Sequence, residues 1–479
     1  MSNDPLEDLL RSTASETRTA LGAPGQNELP PFEPNSNRGG VIVAALIALI
    51  VVGVGGWLVG SMSDSPVEVE TADPDVIEEP ETPDQPDGIE EDGSAPTTAE
   101  EVAPVPFDLD ERVQSTDARP AFGESFTDDA FGSVITRVTN AANGERIIPV
   151  QSPAALWNAD ESLMLLYQTG LDASGHIVVD ATNFAVELVL PILPTDIEHV
   201  FWHPTDPDLI VTTVDLELVT FSVSTGEVTT IASYPQCDFV DPGVATAGPS
   251  RDGSVIALRC GMGGDIQVLS QPLDGTPAAM LDVGNGNQGM ASADGQSIII
   301  DRSDGFDVYN TDLTELRSTI DWAASAPTVG VDGDGNSIIV SAGFESDFPG
   351  SLVIAGLDGG LTNDGSAVEV IVGPDTGFIF PPSGTTIFAN GLPGLLAASS
   401  PVPPDRQDGG TLDALEGEVV LADLRTSPPT IQRLAQSRNF GDGLFSNSFV
   451  SISPSGRFVA FASDWGGDAS DTYVIDLEG

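Results

Sequence analysis

Seven times between Trp157 and Ser463 the chain sets a short loop of Asp, Ser, Asn or Gly before an apolar run. The instances are WNADESLMLLYQ from Trp157, HPTDPDLIVTTV from His203, PSRDGSVIALRC from Pro249 and ASADGQSIIIDR from Ala291. They continue with VDGDGNSIIVSA from Val331, PPSGTTIFANG from Pro381 and SPSGRFVAFAS from Ser453. Asp-Gly and Ser-Gly suit tight turns because Gly tolerates positive φ, and the β-branched or aromatic runs behind them read as strands. The turn residues Asp160, Asp206, Asp252, Asp294, Asp334, Ser383 and Ser455 are separated by 46, 46, 42, 40, 49 and 72 residues. A repeat near 40–50 residues with about four strands is that of a β-propeller.

Each hairpin is followed by a second strand pair, as in LVTFSVSTGEVTTIA from Leu218 and GFDVYNTDLTELRSTI from Gly305. The long sixth interval is assigned to an insertion, a surface loop around Asn390 to Glu416. The seventh copy ends early: after FVAFAS and DTYVIDLEG it has three strands and lacks a fourth. One unassigned β-like run, SVITRVT at 133–139, precedes the first copy. An unpaired sheet edge is a liability, so this run is expected to lie beside Tyr473–Leu477 and close the ring. The expected fold is all-β, a seven-bladed propeller of four-stranded blades closed by an N-terminal strand, plus one transmembrane helix. A β-sandwich or a solenoid is the rival.

The segment SPSGRFVAFASDWGGDASDTYVIDLEG resembles the WD40-like repeat of TolB-type propellers. That repeat runs from Ser-Pro-Asp-Gly through an apolar strand and a Ser-Asp loop to a strand ending in Asp-Leu-x-Gly. Residues 157–168, 251–275 and 293–310 resemble it more loosely. The Lys usual after the turn is missing, and the fifth and sixth repeats are irregular. The resemblance implies a propeller that makes protein contacts in the cell envelope; it implies no activity.

Residues 41–60, VIVAALIALIVVGVGGWLVG, carry no charge. Twenty residues at about 1.5 Å each span roughly 30 Å, the thickness of a hydrocarbon core, with Trp57 near one interface. A buried core helix would show a polar stripe. A cleaved signal would have a shorter apolar run and an A-x-A site. Arg11, Arg18 and Arg38 precede the span and the next Arg is Arg112, so the N-terminus is expected in the cytoplasm and the C-terminal part outside. Residues 1–38 then form a disordered tail, 39–62 the membrane helix, 63–130 an acidic Pro-rich disordered stalk and 131–479 the propeller. From Asp64 to Glu111 there are 18 acidic residues and no basic one, a composition that extends a chain.

The whole chain has 74 acidic residues against 16 basic, all Arg, for a net charge of −58. Such a balance excludes nucleic acid as a partner, since phosphate binding needs clustered cations. From Arg112 onward 50 acidic residues face 13 Arg, a net of −37, which suits a saline habitat where screening relieves self-repulsion.

No G-x-S-x-G elbow, Walker loop or paired C-x-x-C occurs, so no catalytic residue and no cofactor is assigned. His176, His199 and His203 are the only histidines, and EHVFWHP brings Glu198, His199 and His203 close in sequence. A spacing of four joins two imidazoles on a helix but spreads them by about 13 Å on a strand. A turn hydrogen bond for His203 therefore stands beside the metal reading. VDGDGNS lacks the acidic twelfth residue of a calcium-binding EF-hand and reads as a turn, with a weak calcium-binding turn outside the cell as the alternative. Cys237 and Cys260 fall at meeting ends of one hairpin, which allows a disulfide in an oxidising exterior; two free thiols are the alternative. The functional expectation is an envelope scaffold binding a protein or glycan. The alternative is a metal-assisted glycan-processing enzyme using Glu198, His199 and His203.

Overall fold

The computed structural model describes Asp110, Arg112–Val113 and residues 118–478, except 151–153, 171–173, 244–247, 285–286, 323, 343–347, 349, 359–367, 374–379, 381–384, 403–410 and 441–446. The apolar span at 41–60 lies outside the described residues. Among the described residues no helix is long and apolar enough to cross a membrane.

Seven antiparallel sheets follow one another along the chain. In blade one the inner strand Arg146–Pro149 leads to Leu163–Thr169, Gly175–Asp180 and the outer strand Val186–Val189. Blades two to five repeat this order with inner strands Val200–Trp202, Phe239–Asp241, Gln288–Ala291 and Ser325–Val331. The second strand of a blade is buried on both faces, because a neighbouring blade packs on each. Ser337–Ala342 is buried throughout, whereas the outer strand Val228–Ser233 is mostly exposed. Continuous apolar runs such as SIIV and FVAF are the sequence image of that two-sided burial.

Ring closure shows in the cores. The buried apolar side chains gather between the blades, and each consecutive pair of blades shares one cluster. Phe221 of blade two packs with Leu165 of blade one, and Leu258 of blade three with Val211 of blade two. The series runs on through Ile298 with Val268, Ile339 with Phe306, Leu396 with Ile354, and Phe461 with Leu421. It ends where Ala460 of blade seven joins Met164 and Trp157 of blade one. Burying one such Leu, Ile or Phe is worth about 1.5–3 kcal/mol, so the interfaces are the main source of stability.

The inner turns are built alike. The first side chain of each turn accepts hydrogen bonds from the backbone that re-enters the sheet. Ser250 Oγ accepts from Val255 N (3.1 Å), Ser292 Oγ from Ser297 N (2.9 Å) and Asn158 Oδ1 from Leu163 N (3.0 Å). Asp332 Oδ1 takes Asn336 N at 2.8 Å, so the calcium-like VDGDGNS is a self-capped turn. At the following corner Gly253 has φ 72° and Gly456 φ 75°, and Glu161 adopts φ 61° in the equivalent place of blade one.

Closure by the N-terminal run is as expected. Val134–Arg137 pairs with Asp471–Asp476 in the register Ile135↔Ile475 and Arg137↔Tyr473. The structure adds two strands within residues assigned from sequence to the stalk. Ser125–Thr127 pairs with Val134–Arg137 and makes blade seven five-stranded. Arg112–Val113 pairs with Thr411–Leu412, in the insertion of blade six. The ring thus takes in residues well before 131.

Blade six corrects the sequence reading. Thr386–Phe388 is its inner strand rather than the strand behind a turn at Ser383, and Leu395–Ser399, assigned to the insertion, is its buried second strand. The turn is Asn390–Gly394, with Gly394 at φ 78°. The insertion shrinks to the link between Ser399 and Glu418.

Cys237 and Cys260 form a disulfide with Cα atoms 5.4 Å apart. The bridge closes a 23-residue separation, and a loop of that length restrains the unfolded chain by about 3 kcal/mol. Cys237→Ser with Cys260→Ser is expected to lower the unfolding midpoint by several degrees without altering the native far-UV spectrum; an unchanged midpoint would refute that role.

Candidate functional site

A propeller has two axial ends: one carries the inner turns, the other the crossovers from one blade's outer strand to the next blade's inner strand. Glu198 and His199 lie on the crossover into blade two. His203 lies beyond Val200–Trp202, in the inner turn. Three strand residues separate the histidines, which places them about 13 Å apart along the strand. The structure therefore does not bring Glu198, His199 and His203 into one shell. Among the described residues no three His, Cys, Asp or Glu side chains form a group that could hold a metal.

Each imidazole has a definite partner. His203 Nδ1 accepts from Asp206 N at 3.1 Å, serving its turn as Ser250 serves the next blade. Burial holds the His203 imidazole below its ordinary pKa, in keeping with that acceptor role. His199 Nε2–H donates to Gly243 O of blade three at 2.9 Å, while its buried Nδ1 has no hydrogen-bond partner among the described residues. His176 Nε2–H donates to Ile197 O of blade two at 2.7 Å, and burial lowers its pKa to about 4. Two of the three histidines are tethers from one blade to the next, which the sequence could not show because their partners are backbone carbonyls.

Around His199 a polar array crosses blades two to four. Asp241 Oδ1 receives Arg259 Nε at 2.7 Å and Gly243 N at 2.8 Å. Next to it, Gln288 Nε2 donates to Asp301 Oδ2 at 3.3 Å. Burial pushes the Asp301 carboxyl up to about 6. Glu198 stands apart, lining a small recess with Ile148, Pro149, Val150, Tyr167, Ile197 and Phe449. Burial in this apolar setting, reinforced by Asp196, pushes its carboxyl up to about 7. Such a group can bind or release a proton near neutrality.

The raised Glu198 pKa makes stability depend on pH. The folded protein binds the Glu198 proton more tightly than the unfolded chain, so the neutral acid is accommodated below the unfolded pKa near 4.5. Stability is lost as pH rises towards 7. Glu198→Gln should be near neutral at acidic pH and stabilise the domain at alkaline pH by about 1–3 kcal/mol, the lower part of that range reflecting solvent at the recess mouth. Denaturant midpoints across the pH range measure this; a pH-independent effect of the substitution would refute it.

No protein-family model and no curated protein matches the sequence. Among solved structures the chain is similar to an oligogalacturonate lyase in complex with manganese, at 12% identity and TM-score 0.53 over 74% of this chain and 96% of that one. It is similar to oligogalacturonate lyase from Vibrio parahaemolyticus at 13% identity and TM-score 0.52, again over 74% and 96%. TolB from Acinetobacter baumannii aligns over 70% of this chain and 64% of that one, at 14% identity and TM-score 0.29. At such identities the likeness to the two lyases is one of fold, and the fold is the propeller described above.

Proposed function

We propose that this chain is a membrane-tethered propeller outside the cytoplasm, acting as a rigid scaffold that binds a protein or glycan of the cell envelope. The observation that supports the scaffold reading is the use of the histidines. His176 and His199 tether blade to blade and His203 caps a turn, so the residues best suited to metal chemistry serve the ring itself. A closed ring with inner-turn loops at one end and crossovers at the other is a frame for displaying contacts. The uncharged span at 41–60 supports the tether, and the Arg asymmetry around it supports an outside location.

The test is capture by the purified domain from detergent-solubilised envelope of its own cell, with metal analysis of the same sample and an assay for cleavage of uronate oligosaccharides. Selective retention of an envelope component, without stoichiometric metal or cleavage, is the expected result. A bound transition metal together with cleavage would replace the scaffold by the glycan-processing enzyme. Protease protection in spheroplasts tests the tether: the domain should be digested from outside while residues 1–38 stay protected.

A further inference from the structure

The inner turns of blades three and six stand three places apart in a ring of seven, the greatest separation the ring allows. Arg251 Nε nevertheless donates to Gly391 O at 3.1 Å, joining those two turns. The Arg251 side chain must therefore cross the axis at the turn end. Its place in the other six turns is taken by Ala159, Pro204, Ala293, Gly333, Gly391 and Pro454, none of them ionisable.

Most of the described arginines meet a carboxylate, and Arg251 does not. Arg259 pairs with Asp241, Arg425 with Asp423 and Arg457 with Asp476. Arg251 has no carboxylate within ion-pair distance among the described residues, in a domain carrying 50 acidic side chains. Partial burial, with no compensating anion among the described residues, holds its pKa below the ordinary value. The Nε bond fixes the plane of the guanidinium and leaves the terminal nitrogens for an external acceptor.

We propose that Arg251 is a carboxylate-binding site at the turn end of the axis, and that its ligand is the free C-terminus of a peptide segment. A guanidinium offers two parallel donors that match one carboxylate. Asp160, Asp252, Asp294 and Asp334, one position further along their turns, are exposed around this centre. They repel polyanions, so oligouronates and nucleic acids are poor ligands. A single carboxylate on a neutral or basic chain meets the cation and is tolerated by the carboxylates around it.

This inference rests on the scaffold reading and adds a place and a ligand chemistry to it. The probe is an alanine-rich hexapeptide with two arginines, labelled at its N-terminus, compared with the same peptide amidated at its C-terminus. Fluorescence anisotropy with the intact domain should show at least a tenfold preference for the free acid, about 1.4 kcal/mol. Arg251→Gln should abolish the preference while leaving the unfolding midpoint unchanged, and Arg251→Lys should recover part of it. Equal binding of acid and amide, no binding of either, or a preference that survives Arg251→Gln would each overturn the proposal. Envelope capture repeated with Arg251→Gln separates the two readings: retention equal to wild type leaves the scaffold standing and removes Arg251 from it.

Discussion

A chain that starts at Ala142 will not form the ring, whereas one that starts at Asp108 will. The shorter chain loses Ser125–Thr127 and Val134–Arg137, so Asp471–Asp476 becomes a bare edge. It also strands charges. Arg438, 4.1 Å over the Trp465 ring, would lose its 3.2 Å ion pair with Asp128, and Asp471 would lose Arg119 and Arg137. Leaving one buried charge unpaired costs about 3–5 kcal/mol, and several together exceed the 5–15 kcal/mol by which a domain is usually stable. Aggregation or strand exchange between copies is the expected outcome, seen by size-exclusion chromatography with light scattering. A synthetic peptide of residues 118–141 added during refolding should restore monomer. A folded monomer from Ala142 alone would show that the closure is dispensable.

How far the sequence carried depended on whether a feature is local. The inner turns were legible because one side chain and one corner residue determine each of them, as at Ser250 and Gly253. Closure was legible because the last copy lacks a strand and only one upstream run could supply it. The hairpin that sets Val240 opposite Cys260 allowed the disulfide in sequence but left two free thiols as the alternative, and the structure forms the bridge. Blade six failed for a physical reason: Pro382-Ser383-Gly384 carries turn chemistry as good as that of a true inner turn. The Ala-rich second strand Leu395–Ser399 has little β propensity of its own and is a strand because it is buried between neighbours. The tethers of His176 and His199 were out of reach, since their acceptors are carbonyls of other blades. So was the role of Arg251, whose partner lies across the axis.

Asp471→Ala should be the most damaging single substitution in the domain. Its carboxylate is fully buried and meets four donors, all from the N-terminal segment, the first three being Arg119, Arg137 Nε (2.7 Å) and Thr139 Oγ1 (2.7 Å). The fourth is Ala141 N at 2.8 Å. One side chain of blade seven therefore gathers the strand that closes the ring. Removing it deprives the buried Arg137 and the part-exposed Arg119 of their shared carboxylate, a loss of about 3–5 kcal/mol that should lower the unfolding midpoint by about 4–7 °C. Asp471→Asn should be nearly as harmful, because the amide keeps an acceptor but turns an NH2 towards the arginines. Arg119→Met in the Asp471→Ala background should recover part of the loss, since it removes one of the stranded charges, and a double-mutant cycle measures that coupling. If Asp471→Ala unfolds within about 1 kcal/mol of wild type, the seam is held by its strand pairing and apolar packing instead. The same carboxylate fastens the segment that closes the ring. Loosening Asp471 should therefore release the N-terminal segment before any blade interface opens, with hydrogen exchange rising first at Val134–Arg137.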